Sequence, residues 1–544
     1  MVQSRHGFLI ICALGTLAAT AAGAEPLHAR IDKLIADKAQ GQPASPLSED
    51  AEFVRRVYLD LAGRIPTAEE TKAFLQDQAS DKRAKLVDKL LDSPDYPRRM
   101  QELFHVMFME RLGDHPEWTK YLRQSFEQNK PWDQMAREIL RADAQDEANR
   151  GAAFFYAKRL ENFGQNPVDY PALTRDVGRL FLGKDLQCAQ CHDHLFIDEY
   201  TQDDFQGLFA FFQNTMLVDA AKPAIGEKLM AQKLDYMSVF KKVPKQTGPR
   251  LPGNQEVEIP NFAKGEEYLE PPDRKTRFPG IPRFSPLASL AEQLPTAANA
   301  DFSRNMVNRL WFILMGRGLV DPLDLFHSDN PPSHPELLDV LAKEFVAHRF
   351  DMKWLLRELA LTETYQRSSL LPEGSAKPPA PESFLTAHEK RLSAEQLLWS
   401  MLQATGTLDS VLGPERNLTA DPKDWPAAYT TLLAKFHKAF ANPPREPEDT
   451  FAPSLKAALF VLNDNTVIGW LAPKSGNLVD RLLKMEAADQ LADELYINIL
   501  SRYPTAAEKA EVADYLGTRP ERRPEAVGQL VWALLASTEF SVNH

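Results

Sequence analysis

The sequence predicts a mainly α-helical protein in which two multi-helix modules are joined by a Pro-rich irregular connector. Apolar side chains recur at the three- and four-residue spacing of a buried helix face, for example at Phe53, Val57 and Leu61. Sustained alternation of apolar and polar residues, which would indicate strands, is almost missing. A chain of 544 residues with 44% hydrophobic residues is long enough for roughly two to four domains with buried cores.

The N-terminus is typical of a secretory signal peptide. Arg5 precedes an apolar run at positions 8–19, and small residues suitable for signal-peptidase cleavage follow it. The run is too short to span a bilayer comfortably, so we predict that residues 1–24 are cleaved and that Cys12 is lost with them. A lipoprotein would modify Cys12 instead, but that residue lies inside the run and follows Ile11, where a small residue is expected.

Export and charge restrict the environment of the mature chain. We expect a periplasmic or otherwise exported protein without a membrane span, because no later segment reaches about 18 uninterrupted apolar residues. The formal net charge is −13, and removal of Arg5 with the signal makes it one unit more negative. This acidic balance argues against nucleic acid and anionic lipid as partners.

Proline and glycine mark the predicted module boundaries. We predict an N-terminal helical module at 25–241, a Pro-rich connector at 242–286 and a C-terminal helical module at 287–544. The connector contains segments such as VPKQTGPRLPGN and EPPDRKTRFPGIPRF. At most one short strand is expected in it, at Glu256–Ile259.

Helix starts and stops are also visible. Gly316 and Gly318 lie where the helix that includes Asn308–Met315 should end. A capping box pairs an N-cap hydroxyl with a carboxylate three residues later. Three pairs have this spacing: Thr67 with Glu70, Ser333 with Glu336, and Thr505 with Glu508.

One helix–turn–helix pattern occurs twice. Residues 58–70, YLDLAGRIPTAEE, and residues 496–508, YINILSRYPTAAE, share Tyr, Arg, Pro-Thr and Glu at matched positions. The copies are too far apart for a short-period solenoid. They represent either an internal duplication or one favourable solution used twice.

The segment QCAQCHDHLF, residues 187–196, contains both cysteines of the predicted mature chain. In CxxCH, two thiols can add to the vinyl groups of a haem while the histidine binds the iron. Cys188, Cys191 and His192 match this template without a gap. Because haem c is attached outside the cytoplasm, the predicted export supports haem c as the cofactor, with His192 as the proximal ligand.

Two other uses of this segment remain open. The cysteines could form a local disulfide, either as a redox pair or as a structural staple. Alternatively, Cys188, Cys191 and His194 could bind zinc, with a fourth ligand from elsewhere. Either use would suit a non-catalytic helical binding or scaffold protein.

A distal haem ligand is not evident from the sequence. Electron-transfer haems commonly have a second Met or His ligand, and four residues are candidates: His105, Met107, Met109 and Met216. However, FHVMFM at 104–109 is also typical of a core-facing helix. A distal site without a protein ligand would permit ligand or peroxide chemistry.

The residues after CxxCH have two interpretations. Asp193 or Asp198 could orient a histidine by accepting its second N–H. Alternatively, Thr201 or Asp203 begins a helix. The buried face of that helix would contain Phe205, Leu208, Phe209 and Phe212.

Catalytic residues cannot be assigned, and the sequence does not decide whether the protein is an enzyme. The chain lacks G-x-S-x-G, Walker and H-E-x-x-H motifs. Several polar residues could line a cleft in the C-terminal module or could serve only in capping and inter-helix hydrogen bonds. They are Asn305, Arg309, Arg317, His334 and Glu336.

Longer motifs extend over most of the predicted mature chain. The N-terminal motifs are FVRRVYLDLAGRIPTAEE (53–70), SPDY (93–96), DVGRLFLGKDLQCAQCHDHLF (176–196) and TQDDFQGLFAFF (201–212). The C-terminal motifs are NMVNRLWFILMGRGLVDPLD (305–324), NPPSHPELLDVLAKEF (330–345), ETYQRSS (363–369), KRLSAEQLL (390–398) and ELYINILSRYPTAAE (494–508). With these motifs, the sequence resembles the planctomycete-specific cytochrome-type (PSCyt) module followed by its partner (PSD) module.

The resemblance implies an exported protein with a cytochrome-like CxxCH segment and no settled catalytic activity. Its implied partners are a redox protein or proteins related to surface polysaccharides. Relatives often have a second cysteine group after a Pro-Arg in the C-terminal module. Here EPEDTF follows Pro444-Arg445, so the segment at Cys188 is the only cysteine site expected.

Overall fold

The computed structural model describes residues 25–143, 146–162, 164–276, 278–372, 374, 377–448 and 455–544. The predicted signal peptide, including Cys12, lies outside these residues. The predicted fold class is confirmed, because helices dominate and the strands are short and few.

The N-terminal half is built from helices that precede the first hairpin. They are α1 (Leu27–Ala39), α2 (Asp50–Ala62), α3 (Ala68–Gln76), α4 (Lys82–Leu91), α5 (Asp95–Met109), α6 (Pro116–Glu127), α7 (Trp132–Arg141), α8 (Phe154–Arg159), α9 (Tyr170–Leu182) and α10 (Gln202–Phe209). Short 3-10 turns at Arg150–Ala153 and Cys188–Gln190 interrupt this series. The second of these turns contains the first cysteine of CxxCH.

Three antiparallel hairpins separate the two helical series. Their strands are β1 (Thr215–Asp219) with β2 (Ala224–Glu227), β3 (Leu234–Met237) with β4 (Pro244–Thr247), and β5 (Tyr268–Glu270) with β6 (Ile281–Pro282). The predicted strand at Glu256–Ile259 is wrong, because that segment has no regular structure. The strands of the three hairpins are short. The sequence therefore contains no long run of alternating apolar and polar residues from which they could be predicted.

The second helical series begins at Pro286. Its helices are α11 (Pro286–Gln293), α12 (Ala300–Met315), α13 (Pro335–Ala347), α14 (Met352–Leu361), α15 (Glu363–Gln366), α16 (Ala394–Thr405), α17 (Leu408–Leu412), α18 (Ala427–Phe440), α19 (Leu455–Asn463), α20 (Asn465–Trp470), α21 (Leu478–Leu483), α22 (Ala488–Leu500), α23 (Ala506–Gly517), α24 (Arg523–Leu535) and α25 (Thr538–Ser541). A last antiparallel pair joins β7 (Lys390–Arg391) to β8 (Val542–Asn543). Over the residues described, no helix combines the length and apolar character needed to cross a membrane.

Two large buried cores hold these elements together. The first contains apolar residues between Leu27 and Leu385, so helices from both sides of the hairpins contribute to it. The second contains residues between Leu392 and Phe540, together with Leu59 from α2. Both cores contain residues from distant parts of the chain. The two helical series therefore pack against each other and share buried surface.

Two of the three predicted capping boxes are confirmed. Thr67 Oγ1 accepts the Glu70 N–H at 3.0 Å, and Glu70 Oε2 accepts the Thr67 N–H at 2.8 Å. The Thr505–Glu508 box has the same pair of bonds. The Ser333–Glu336 box is wrong, because α13 begins after His334, whose side chain makes no capping bond. Pro335 at the first helical position fixes that start instead.

The end of α12 agrees with the glycine prediction. This helix ends at Met315, and Gly316 follows it with φ +79°, a left-handed conformation that favours glycine. Gly318 lies in the loop beyond, where an added Cβ would lie 2.3 Å from the Val320 carbonyl oxygen.

The repeated sequence pattern produces a repeated structure. The Arg64 guanidinium lies 5.3 Å from the ring centroid of Tyr58, and the Arg502 guanidinium lies 5.3 Å from that of Tyr496. Each arginine also binds the capping-box glutamate of its own copy. The shared Tyr, Arg and Glu are therefore the residues that fix the turn between the two helices.

Candidate functional site

The CxxCH segment begins on a short turn just after α9. Gly183 ends the helix with φ +68°, and the 3-10 turn Cys188–Gln190 follows. Ala189 is fully buried, whereas Cys188 and Cys191 are exposed free thiols. The turn is therefore anchored by its middle residue, and both sulfur atoms are accessible to a reagent or a cofactor.

Gln190 ties this turn to the helices on either side. Its side-chain oxygen accepts from Arg175 of α9 at 2.7 Å, and its backbone carbonyl accepts from Gln206 of α10 at 2.9 Å. The Cys191 carbonyl also accepts the Val239 N–H at 3.1 Å. The cysteines are thus exposed, but their backbone is held in place.

His192 has a ring orientation that suits metal ligation through Nε2. Its Nδ1 lies 2.7 Å from the Asp193 carbonyl oxygen, which can only accept, so Nδ1 carries the proton and donates it. The lone pair of the neutral ring is then on Nε2, as in histidines whose other nitrogen is fixed by a backbone carbonyl. The ring packs on Phe240 with centroids 4.6 Å apart.

His194 has the opposite arrangement. Its Nδ1 accepts the N–H groups of Phe196 at 3.2 Å and of Ile197 at 3.0 Å. In the neutral ring the proton must then be on Nε2, which leaves neither nitrogen free to bind a metal unless these bonds are broken. His194 therefore stabilises its own loop and does not suit the zinc alternative.

The carboxylates after the motif do not orient a histidine. The Asp193 carboxylate accepts from the Gln202 backbone N–H at 3.1 Å and from Lys241 Nζ at 2.8 Å. The Lys241 hydrogen bond lowers the pKa of Asp193 below its usual value, and the Gln202 bond adds to this effect. The backbone carbonyl of Asp193, not a side chain of Asp193 or Asp198, fixes His192.

The helix predicted after the motif is present as α10. Thr201 is its N-cap, with Oγ1 accepting the Asp204 N–H at 3.1 Å. Phe205 and Leu208 are buried on its inner face, and Phe212 is buried just after its end. This start was predictable because a hydroxyl preceded two acidic residues and an apolar face.

Exposed apolar side chains surround the motif. Leu195 is 66% exposed and Phe196 is 80% exposed, both in the loop after His194. Val239, which bonds to the Cys191 carbonyl, is 54% exposed, and Phe240, which packs on His192, is 64% exposed. Large apolar groups clustered at one surface commonly mark a ligand or partner site.

The distal-ligand candidates on α5 belong mainly to the core. Both His105 nitrogens are engaged, since Nδ1 accepts from Trp118 Nε1 at 3.1 Å and Nε2 lies 2.7 Å from Asp114. Met109 is fully buried beside Arg159. The core-helix interpretation of residues 104–109 is therefore correct for these two residues.

The remaining methionines lie elsewhere. Met107 is partly buried and lines a cavity that is described below, and Met216 lies in β1 opposite Gly226. Within the described part of the chain, no group of three or more His, Cys, Asp or Glu side chains could hold a metal ion. The motif thus provides thiols and one available imidazole nitrogen, but no ready-made metal cage.

A second candidate site is a cavity of about 330 Å³ between α5, α12 and α16. Its charged wall combines Asp60 of α2, Arg99 and Glu102 of α5, Lys390 of β7 and Glu395 of α16. All of these side chains except Lys390 are buried. The sequence motifs at 53–70, 305–324 and 390–398 all contribute to this wall, although sequence reasoning did not bring them together.

Of the C-terminal polar residues, only Arg309 lines this cavity. Arg309 is paired with Asp324 and also bonds to the Arg179 carbonyl at 3.0 Å. Asn305 joins α12 to α9 through the Leu180 carbonyl at 2.8 Å. These contacts support the inter-helix hydrogen-bonding interpretation for both residues.

The other three lie apart from one another. Arg317 pairs with Asp321 at 2.8 Å, and Glu336 is exposed in the first turn of α13. His334 is buried beside Ser333, and burial lowers its pKa to about 4. The structure therefore does not assemble the five polar residues into one cleft.

Fold and motif together define a mainly helical protein with a surface CxxCH segment. Residues 30–216 match the domain PSCyt2, a protein of unknown function (DUF1549), and residues 288–516 match PSD1, a protein of unknown function (DUF1553). The chain therefore belongs to the family that carries a PSCyt2 domain followed by a PSD1 domain. The comparisons with curated proteins and with solved structures gave no match.

Proposed function

We propose that this chain is an exported c-type haem protein that takes part in redox or electron-transfer chemistry. The observation that carries the proposal is the CxxCH segment itself, with two exposed thiols beside an imidazole whose Nε2 is available. Haem c needs these three groups in this order. The signal sequence predicted at 1–24 supports the same proposal, because haem c is attached outside the cytoplasm.

The residues of the CxxCH segment fit a covalently attached haem. Cys188 and Cys191 would hold the haem through thioether bonds, and His192 would bind the iron from the proximal side. Once bound, the haem would supply one-electron chemistry at the iron. The protein's own contribution is to fix His192 through the Asp193 carbonyl and to provide apolar surroundings from Phe240 and Phe196.

Haem attachment can be tested by expressing the full chain with its signal sequence in a host that carries a cytochrome c maturation system. We expect the intact mass to increase by one haem and the pyridine haemochrome spectrum to be that of haem c. The matched control is Cys188→Ser/Cys191→Ser, which should fold equally well because both side chains are exposed.

The same experiment can overturn the proposal. A mature protein that carries no added mass under these conditions would exclude haem c. If metal analysis of that protein then found zinc, or thiol titration found a disulfide, the scaffold alternative would replace it. Two readily alkylated thiols without metal would exclude both the disulfide and the zinc forms of that alternative.

A further inference from the structure

The cavity between α5, α12 and α16 has an unusual charge balance. Among the residues that the structure describes, four buried acidic side chains line it, and each is hydrogen-bonded to a cation. The pairs are Asp60 with Lys390 at 2.6 Å, Glu102 with Arg98 at 2.9 Å, Glu110 with Arg179 at 2.8 Å, and Glu395 with Arg111 at 2.6 Å. Each of these four carboxylates therefore has a cation of the protein as its partner, although Arg111 also pairs with Glu448 and Arg179 also pairs with Asp324.

Arg99 is the buried cation left over from this pairing. It is only 6% exposed, yet it forms no hydrogen bond or ion pair with any residue the structure describes. Its Nε is enclosed without a partner, whereas Nη1 and Nη2 are not enclosed. Because Arg99 lines the cavity, we infer that these two nitrogens face it.

Burying an uncompensated guanidinium is costly, so its presence needs an explanation. A buried charge is normally paired, because desolvation is not otherwise offset. The carboxylates of Glu102, Asp60 and Glu395 attract Arg99 only at a distance, and burial lowers its pKa below the usual value. A ligand that accepts hydrogen bonds from the terminal nitrogens of Arg99 would supply the missing partner.

We propose that this cavity binds a small organic carboxylate, with the carboxylate on the guanidinium of Arg99. A planar carboxylate matches the two terminal nitrogens of arginine and forms a bidentate pair. The terminal nitrogens of Arg99 can take one such group, and the carboxylates that surround Arg99 disfavour a dianion such as a phosphate ester.

The volume and the lining of the cavity indicate what the remainder of the ligand, beyond its carboxylate, should be. A volume of about 330 Å³ lies at the small end of ligand-binding cavities. Apolar side chains form another part of the lining, including Val106, Phe312 and Phe440. The ligand is therefore a compact carboxylate with an apolar body.

Isothermal titration calorimetry on the full chain tests the proposed carboxylate binding with three probes that share a phenyl ring. Benzoate should bind, whereas benzamide, its neutral isostere, and phenylphosphonate, a dianion at about pH 8.5, should bind at least about tenfold more weakly at that pH. Arg99→Met should weaken benzoate binding by about the same factor. Val106→Phe, which narrows the cavity without changing any charge, should also weaken benzoate binding.

The control is Arg55→Met. Arg55 is another buried arginine, but its nitrogens bond to the carbonyls of Ile499 and Phe540, and it does not line the cavity. This variant should bind benzoate as tightly as the unmodified chain. Equal binding of benzoate and benzamide, or unchanged benzoate binding in Arg99→Met, would overturn the proposal. So would a failure of benzoate, and of the aliphatic carboxylates acetate and hexanoate, to bind at about 10 mM.

Discussion

The CxxCH segment and the Arg99 cavity differ in how their chemistry is assembled. Cys188, Cys191 and His192 lie within five consecutive positions and reach the surface. The cavity wall instead joins Asp60 of α2 to Lys390 of β7, which are far apart in the chain. A motif for covalent attachment can be recognised locally, whereas a cavity exists only after tertiary packing.

The two regions also differ in electrostatic environment. The Asp193–Lys241 pair beside CxxCH is solvent-exposed, and such pairs contribute little to stability. The Arg98–Glu102 pair at the cavity is almost fully buried, so removal of one partner leaves a desolvated charge. We therefore expect substitutions to affect stability strongly at the cavity and weakly at the motif.

The largest effect on stability should come from Arg98→Met. This change leaves the Glu102 carboxylate buried without its hydrogen-bonded cation and should lower the free energy of unfolding by about 3–5 kcal/mol. Urea unfolding at pH 7 measures it. The exposed counterpart, Lys241→Met, should change the free energy by less than about 0.5 kcal/mol.

The pH dependence of Arg98→Met sharpens this prediction. Burial raises the pKa of Glu102, and Glu395 adds to the shift, while Arg98 opposes it. Without Arg98 the folded-state pKa rises further, so the folded protein binds a proton that the unfolded chain does not. Part of the lost stability should therefore return as the pH falls from 7 toward 5. A loss that is constant over this range would contradict the assignment.

Local sequence signals predicted much of the fold. The hydroxyl–carboxylate spacing at Thr67 and Thr505 gave the correct helix starts, and the glycine at 316 gave the correct end of α12. The same spacing failed at Ser333, because Pro335 and the His334 backbone set the start of α13 one residue later. The capping-box spacing therefore predicts a helix start only where no stronger determinant, such as a proline at the first helical position, lies beside it.

The candidate sites were predictable to different degrees. Cys188, Cys191 and His192 could be predicted from a five-residue motif. The sequence did not show that a backbone carbonyl, and not the side chain of Asp193 or Asp198, orients His192. Arg99 gave no signal, because it is one of two adjacent arginines in an amphipathic helix. Its lack of a partner depends on the positions of side chains from several distant segments.

Arg99→Met should increase stability. The substitution removes a buried guanidinium that lacks a hydrogen-bond partner among the described residues, and methionine can fill similar space. We expect the free energy of unfolding to rise by about 1–2 kcal/mol in the absence of added ligand, while benzoate binding weakens by about tenfold. A decrease in stability would instead show that Arg99 supports the fold.

Paired histidine substitutions compare two roles within one motif. In haem-loaded protein, His192→Ala should change the absorption spectrum because it removes the proximal nitrogen, whereas His194→Ala should leave the spectrum nearly unchanged. His194→Ala should still lower the free energy of unfolding by about 1 kcal/mol, since Nδ1 accepts two backbone N–H groups. An unchanged spectrum in His192→Ala would remove that residue from the haem site.

The smallest effect on stability is expected at the exposed aromatic side chain that packs on His192. Phe240 is 64% exposed, so Phe240→Ala should change the free energy of unfolding by no more than about 0.5 kcal/mol. The substitution should nevertheless change the reduction potential of the haem, because the Phe240 ring shields His192 from water. Greater water access favours the oxidised, more highly charged iron, so the reduction potential should fall.

Leu370→Ala is the matched control for this last comparison. Leu370 is 73% exposed in a loop that is separate from the motif, so its removal deletes an equally accessible apolar group. Redox titration of the haem-loaded variants should show a lower potential for Phe240→Ala and an unchanged potential for Leu370→Ala. If both variants kept the potential of the unmodified protein, Phe240 would be an ordinary surface residue, and the apolar surroundings of CxxCH would have no part in the proposed haem site.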